Sequence, residues 1–405
     1  MTRLIEFLIS LALVVALFLI VALVLPSKRH LEESVETNRK MTIVYDTVNN
    51  VRRLKDWNSL IPNNPAELKI SGGDAGNAGQ GAKVDFASDV RPTWKSGSWE
   101  ITSSEAPVDG GPSKVVYAIQ DGTQGTDKAA TFTMTPSGKG NRNVRITAVY
   151  DVQYGWNLFG RFTGMYLSSQ IGDSLKSSLG KLTTNLASIP NFDYRTEGAK
   201  LVDLKIAEVP AENVLVVNAG NIERNNDAIK KSIQDNQEWI KRVMEKNNLE
   251  AAGPLRIITT DFGAERYAFD VAQPIRKKGG APKADEAKKD DEKKAEETAA
   301  APDAAAVPAG ELKVNVDGTP VTYVHLEPRK AANAHYTGYM AELDAMRNAM
   351  RAWALTNGYD VTDRPYDVWN GGVDKMSSDD GSYDLFWQIK DPNAAKQAAA
   401  AAGLH

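Results

Sequence analysis

A chain of 405 residues exceeds one ordinary domain and suits two or three units joined by linkers. With 48 Lys and Arg against 52 Asp and Glu, the formal charge of -4 offers no basic surplus for a phosphate backbone, so no nucleic-acid partner is expected. The absence of cysteine excludes thiolate catalysis, disulfides and Cys-built zinc sites, and four histidines leave little for a metal centre, so no metal or other cofactor is expected either.

From Leu4 to Leu25 the chain is apolar, broken only by Glu6 and Ser10. A helix of that length rises about 33 Å, enough to cross a hydrocarbon layer of roughly 30 Å. The run is longer than a signal-peptide core and no small-x-small site precedes Pro26. Residues 1–30 therefore read as a retained single-pass anchor in the inner (cytoplasmic) membrane, touching lipid through residues 4–25. Arg3 and the terminal amine balance Lys28 and Arg29, so charge leaves the orientation open. A short leading tail and a cysteine-free body favour a periplasmic or extracytoplasmic position for the rest.

Residues 31–195 carry the alternation of a one-sided sheet: Val115, Tyr117 and Ile119; Phe132 and Met134; Val144, Ile146, Ala148, Tyr150 and Val152. Turn formers at Asp109-Gly110-Gly111-Pro112, Gln120-Asp121-Gly122 and Ser137-Gly138-Lys139-Gly140-Asn141 separate them, which predicts a meander of antiparallel hairpins. Leu175, Leu179, Leu182, Leu186 and Ile189 then recur at spacings of four and three, one face of a long helix. Such a helix should lie across the concave side of the sheet and leave a cavity beneath it. The class is α+β.

The stretches Val35-Glu36-Thr37-Asn38, Val44-Tyr45-Asp46-Thr47-Val48 and Leu54-Lys55-Asp56-Trp57-Asn58-Ser59-Leu60, followed by Gly97-Ser98-Trp99-Glu100-Ile101 and Gly155-Trp156-Asn157-Leu158-Phe159-Gly160-Arg161, resemble a START-like polyketide-cyclase (SRPBCC) domain. That resemblance covers about 160 residues. It implies a helix-grip fold, an antiparallel sheet wrapped on a long C-terminal helix, that holds an apolar ligand, with no universal catalytic residue.

Residues 200–392 read as a duplicated strand-helix-strand-strand module, 200–276 and 311–392. Asn225-Asn226-Asp227 can cap the first helix, whose stripe is Ile229, Ile233, Ile240 and Val243; the second has Leu343, Met346, Met350 and Trp353. Each half has too small a core alone, so the two should join into one body with a central groove. The insert 277–310 is Ala, Lys, Glu, Asp and Pro, with seven lysines cancelling seven acids between Lys277 and Glu297, and reads as a disordered spacer. The Ala-rich tail, 393–405, is equally poor in apolar side chains to bury.

Ala334-His335-Tyr336-Thr337-Gly338-Tyr339-Met340-Ala341-Glu342-Leu343 and Trp353-Ala354-Leu355-Thr356-Asn357-Gly358-Tyr359 resemble the helix entry and exit of the GyrI-like, or AraC-type effector-binding, domain. The resemblance implies an acidic residue on the last strand facing an aromatic groove that takes cationic or polar-aromatic ligands. Asp384, before Leu385-Phe386-Trp387, stands where a glutamate is usual, and Gln388 replaces a proline.

The candidate ligand-binding set is therefore Asp384, Tyr336, Tyr339, Glu342, Trp369 and Trp387 in the second half, with Trp57 and Trp99 in the first; no catalytic residue is assigned. Each has a plainer alternative. Asp384 can be a solvated strand-edge acid, Glu342 a first-turn acid favoured by the helix dipole, and the tryptophans ordinary core. His335 can be a structural hydrogen-bonding group. The function expected is a membrane-anchored binding protein for small hydrophobic or cationic amphipathic ligands, acting in sensing, sequestration or transfer. The alternative is a hydrolase or cyclase using Asp384, Glu342 or a tyrosine in a water-poor cavity. A transcription regulator lacks any recognisable DNA-reading element.

Overall fold

The structure, a computed structural model, describes residues 2–62, 64, 67–74, 76–87, 96–166, 168–263, 265–279, 310–362 and 364–390. Most of the expected insert at 277–310 and all of the Ala-rich tail lie outside the described residues, as does Trp94. Two compact units emerge: Met1–Arg195 with Ala352–Tyr359, and Thr196–Arg351 with the chain from Asp360 onward.

Helix α1 (Thr2–Val24) is long and apolar enough to cross a membrane, with a mean hydropathy of 3.3 over its most apolar stretch, and its leucines, valines and phenylalanines face outward. That is consistent with a single-pass anchor. Only Leu25, Pro26 and Ser27 separate it from strand β1 (Lys28–Thr37), so the first sheet begins three residues earlier than the expected boundary at residue 31.

The first unit continues with α2 (Met41–Val48), a 3-10 turn at Val51–Arg53, α3 (Leu54–Trp57), β2 (Leu68–Ser71), β3 (Lys83–Ala87), β4 (Ser96–Glu105), β5 (Ser113–Asp121), β6 (Thr126–Ser137), β7 (Asn143–Gln153), α4 (Leu158–Thr163) and α5 (Asp173–Ser188). The strands form one antiparallel sheet in the order β1-β7-β6-β5-β4-β3-β2. The first strand closes onto the last: Lys28 lies opposite Gln153 and Thr37 opposite Val144. Alternation decides the faces, since Val144, Ile146, Ala148, Tyr150 and Val152 are all buried while their neighbours are not. Leu175, Leu179, Leu182 and Leu186 of α5 are buried as the spacing predicts, each worth roughly 1.5–3 kcal/mol on burial. This is the helix-grip arrangement.

The expected hollow beneath the helix is closed. Large aromatic side chains from α3, β4, β5 and β6 occupy it, and close packing leaves little room beyond them.

The second unit contains β8 (Leu201–Val209), β9 (Glu212–Glu223), α6 (Asn226–Lys246), β10 (Leu249–Ala251), β11 (Arg256–Phe262), β12 (Arg266–Lys277), β13 (Val321–Leu326), β14 (Arg329–Thr337), the first nine residues of α7 (Leu343–Thr356, whose last turn from Ala352 is counted with the first unit), β15 (Tyr366–Trp369) and β16 (Ser382–Gln388). Asn225 caps α6 as expected, its side chain accepting from the backbone N–H of Asp227 and Ala228 at 2.9 and 3.2 Å. One sheet runs β13-β9-β12-β11-β15-β16-β14-β8, with β10 paired to β12. Read from either end this order is the same once the two repeats are exchanged. Each module also lends its opening strand to the other: β8 pairs with β14, and β13 with β9. The seam is the β11–β15 pair, with Ile257 opposite Asp367, a hydrogen-bonded ladder that joins the two repeats into one body, as expected of halves too small to stand alone.

Candidate functional site

Inside the helix grip, Trp57 ends α3 fully buried and meets Phe132 edge-on at 5.3 Å. Phe132 meets Tyr117 edge-on at 5.9 Å, and Tyr117 packs against Trp99 at 5.6 Å. The Tyr117 hydroxyl donates to the Val48 carbonyl, and burial pushes its pKa far up. Beside these rings, among the described residues, lies a gap of about 10 Å³ for a water centre, lined by Leu60, Phe86, Trp99, Ile119, Tyr150, Ile171 and Asp121, which Lys128 pairs. One water fits at most. Trp57 and Trp99 thus hold each other's neighbours in a filled core. A larger groove, about 470 Å³, lies between α3 and α5, but its lining is polar: Asp56, Ser177, Gly180, Lys181, Thr184 and Asn185.

In the second unit, the strand period of two sorts the candidates onto opposite faces of the sheet. One row is Tyr336, Tyr383 and Trp369, directly opposite one another on β14, β16 and β15. Tyr336 and Tyr383 stack at 5.9 Å, and Trp369 meets Tyr383 edge-on at 5.5 Å. The Tyr336 hydroxyl donates to Glu342 at 2.8 Å, with the Tyr339 carbonyl 3.1 Å away, while Lys200 donates to the same Glu342 carboxylate at 2.5 Å. Lys200, then Tyr336, hold the Glu342 carboxyl below its usual range. The Tyr339 hydroxyl accepts from Asn226 at 2.7 Å. Gly338, at a φ of +155°, makes this packing possible, because a Cβ there would strike the Tyr336 hydroxyl. Burial pushes the Tyr383 hydroxyl up to about 12, and neither it nor the Trp369 indole N–H has a hydrogen-bond partner among the described residues. Trp387 shares the face but sits four residues along β16, about 13 Å away. Its indole donates to the Thr362 carbonyl and its ring lies under the Arg351 guanidinium at 5.5 Å.

This same face hides a charged pair that was not singled out in the sequence. Arg347 of α7 grips Asp367 of β15 with two hydrogen bonds, and both side chains are almost wholly buried. Burial opposes the guanidinium charge, but Asp367 outweighs it and drives the Arg347 pKa upward. Two signals were legible: an arginine inside the Leu343, Met346, Met350 stripe, and an aspartate at the centre of the aromatic-rich strand Tyr366-Asp367-Val368-Trp369.

Asp384 lies on the opposite face. Tyr383 and Trp387, its neighbours in sequence, point away because they are odd-numbered steps along the strand, whereas Phe386, two residues on, shares its side. Asp384 accepts from His335 Nδ1 at 2.7 Å and from Asn370 Nδ2 at 2.8 Å, and its side chain remains one-third exposed. His335 Nε2 lies 3.2 Å from the Thr337 hydroxyl. One step along, Phe386 stacks flat on Tyr366 at 5.0 Å and 7°. The guanidinium groups of Arg256 and Arg329 stand 5.1 and 6.0 Å from the Tyr366 ring. Both donate to Glu212, at 2.6 and 2.5 Å. Burial alone would raise the Glu212 carboxyl, but the two arginines more than offset it and hold it low.

The result is a half-buried sheet face with a positioned carboxylate at one end, a flat aromatic pair in the middle and an Arg-Glu-Arg cluster at the other. Glu212, Arg256, Arg329 and Tyr366 come from four strands, β9, β11, β14 and β15, and were not legible as a group; only the run of paired strands from β9 through β12, β11, β15 and β16 to β14 assembles them. Among the described residues no three His, Cys, Asp or Glu side chains converge as metal ligands.

No protein-family model matches the chain, and no curated protein matches it. Among solved structures, norcoclaurine synthase from Thalictrum flavum is 13% identical, with 40% of this chain and 97% of that one aligned at a TM-score of 0.30. The EcmrR C-terminal domain is 12% identical, covering 47% of this chain and 98% of its own at 0.31. The ZhuI aromatase/cyclase from Streptomyces sp. R1128 is 11% identical, covering 40% and 94% at 0.30. These likenesses carry no residue's role over to this chain.

Proposed function

We propose that the protein is a membrane-anchored binder of small hydrophobic or cationic amphipathic ligands and that its ligand site is the Asp384 face of the second sheet. The observation that carries the reading is the Asp384 carboxylate standing one strand step from the flat Tyr366–Phe386 pair on a half-buried surface. A carboxylate with reduced water contact attracts a cation, and aromatic faces take the flat apolar part of the same molecule. His335 and Asn370 hold the carboxylate in place, so less ordering is left to be done on binding. The aromatic core of the helix grip is filled in this structure, and its part in this reading is support at the bilayer. Sensing, sequestration or transfer of molecules that partition from lipid follows from the apolar α1.

The test is a fluorescence titration of the full chain with rhodamine 6G, a cationic aromatic dye. Asp384→Lys should abolish binding, and Asp384→Asn should weaken it about tenfold, or about 1.4 kcal/mol. Unchanged affinity in both variants would remove Asp384 from the site.

A second reading, a hydrolase, draws on one observation: Asp384, His335 and Thr337 form a carboxylate-imidazole-hydroxyl chain at 2.7 and 3.2 Å. That order can activate a hydroxyl as a nucleophile. Thr337→Ala would separate the readings, because a hydrolase would lose ester turnover while a binder would keep its dye affinity.

A further inference from the structure

The segment after β7 reverses the usual distribution of small and large residues. Gly160, Arg161 and Gly164 are buried, whereas Trp156, Phe159, Met165 and Tyr166 are 81, 63, 52 and 65% exposed. The glycines face the Tyr154 ring so closely that a Cβ at either would come within 2.9 Å of it. A water-facing segment would place its large apolar side chains inward, and a contiguous outward apolar patch marks an interaction surface.

Two contacts fix this segment against α1. Phe162 stacks on Phe18 at 4.3 Å, nearly parallel. The Arg161 guanidinium donates to the carbonyls of Ala22, Leu23 and Leu25 at 3.2, 3.2 and 3.3 Å, groups that a helix C-terminus leaves without intrahelical donors, and also to the Gly155 carbonyl at 2.9 and 2.7 Å. Phe18 precedes the end of α1 by six residues, a rise of about 9 Å. Interfacial helices sink their apolar face roughly 5–10 Å into the boundary between headgroups and acyl chains. Where α1 crosses a bilayer, Phe162 and its neighbours stand at that depth.

We propose that residues 156–166 form a second membrane contact, a collar whose Trp156, Phe159, Met165 and Tyr166 side chains enter the headgroup and upper acyl region of the same bilayer that α1 spans. The inference rests on the reading of α1 as a membrane span. Lipid is the occupant because the patch is continuous with α1, its tryptophan and tyrosine are the types that belts at membrane interfaces favour, and Lys28 and Arg29 adjoin it to meet anionic headgroups. Its consequence is a fixed pose: with three residues between α1 and β1 and Arg161 bonded to both segments, the helix grip is held at the surface instead of swinging on a tether.

The chain has no cysteine, so single introduced cysteines label cleanly. The full chain would be reconstituted in phosphatidylcholine-phosphatidylglycerol vesicles carrying bimane at Phe159→Cys, Tyr166→Cys, Leu13→Cys or Lys139→Cys. Lys139 lies in the β6–β7 turn, at the end of β7 remote from Lys28. The expected result is that labels at 159 and 166 resemble the one at 13: quenched by doxyl-labelled lipid and several-fold less accessible to aqueous iodide than the label at 139. Iodide access at 159 and 166 equal to that at 139, with 13 still lipid-quenched, overturns the collar and leaves the span standing. Shielding from iodide without lipid quenching, together with disulfide-linked dimers of unlabelled Phe159→Cys, overturns it in favour of a second copy. Iodide access at 13 overturns the span and the collar with it.

Discussion

The two units use their sheets in opposite ways. The first commits its concave face to aromatic bulk: Trp57, Trp99, Tyr117 and Phe132 interlock, and the one carboxylate at the remaining gap, Asp121, is already paired to Lys128. The second embeds charge within its sheet, a buried Arg347–Asp367 pair on one face and the Glu212 cluster with Asp384 on the other. The first unit's sheet face is therefore packed solid, while the second unit, built by duplication, presents a chemically varied face. Recognition chemistry follows the placement of half-buried polar groups more closely than it follows the name of the architecture.

That contrast can be broken most forcefully at Trp57. Trp57→Ala should cost about 3–5 kcal/mol in urea unfolding, as expected for a fully buried aromatic in a rigid surround. A loss under about 1 kcal/mol would mean a loosely filled interior, contrary to the packing described. In the second unit, Arg347→Met should cost a comparable 3–5 kcal/mol by leaving Asp367 buried and unpaired, and the double variant Arg347→Met with Asp367→Leu should recover most of that. Additive losses would show that the pair's charge is not the reason for the cost.

Acid should act with opposite signs on one carboxylate in each unit. The Glu212 carboxyl lies below its ordinary 4.5, so its stabilisation is complete above that pH and fades as pH falls through the lowered value. Burial lifts the Asp46 carboxyl of α2 above its ordinary 3.8, despite the Arg195 charge and the Tyr194 hydrogen bond. Its protonated form is favoured on folding, so that contribution is present at low pH and is lost as pH rises from about 3.8 through the raised value. Urea midpoints from pH 3 to 7, compared with Glu212→Gln and Asp46→Asn, should show the first substitution flattening an acid-side loss and the second removing a loss on the way up. Matching slopes in both variants would refute the assignment. The smallest effect on stability belongs to Asp384→Asn, within about 0.5 kcal/mol for a partly exposed group, even as dye affinity falls.

Much of the fold was legible because its signals are local. The Val144 to Val152 alternation, the leucine stripe of α5, the Asn225 cap and the duplicated order all depend on neighbours within a few residues or on visible repetition. Strand exchange between the modules was not, since pairing of β8 with β14 joins residues more than a hundred positions apart. The filled grip escaped for another reason: a tryptophan at the end of a short helix looks alike whether it lines a cavity or fills one, and only packing decides. In the second half, Asp384 and its aromatic neighbours were read as one group because they are adjacent in sequence, whereas a strand sends adjacent residues to opposite faces. Tyr366, its real companion beside Phe386, was hidden by an interval of twenty residues.

The placement of the ligand site is tested most directly by hydrogen-deuterium exchange on the full chain in lipid nanodiscs, with and without saturating rhodamine 6G. Slowed exchange in β14, β15 and β16, with the helix grip unchanged, is the predicted result. Slowing confined to α3, α5 and the strands beneath them would contradict it, because the ligand would then sit in the first unit, in the α3–α5 groove or in an opened aromatic core.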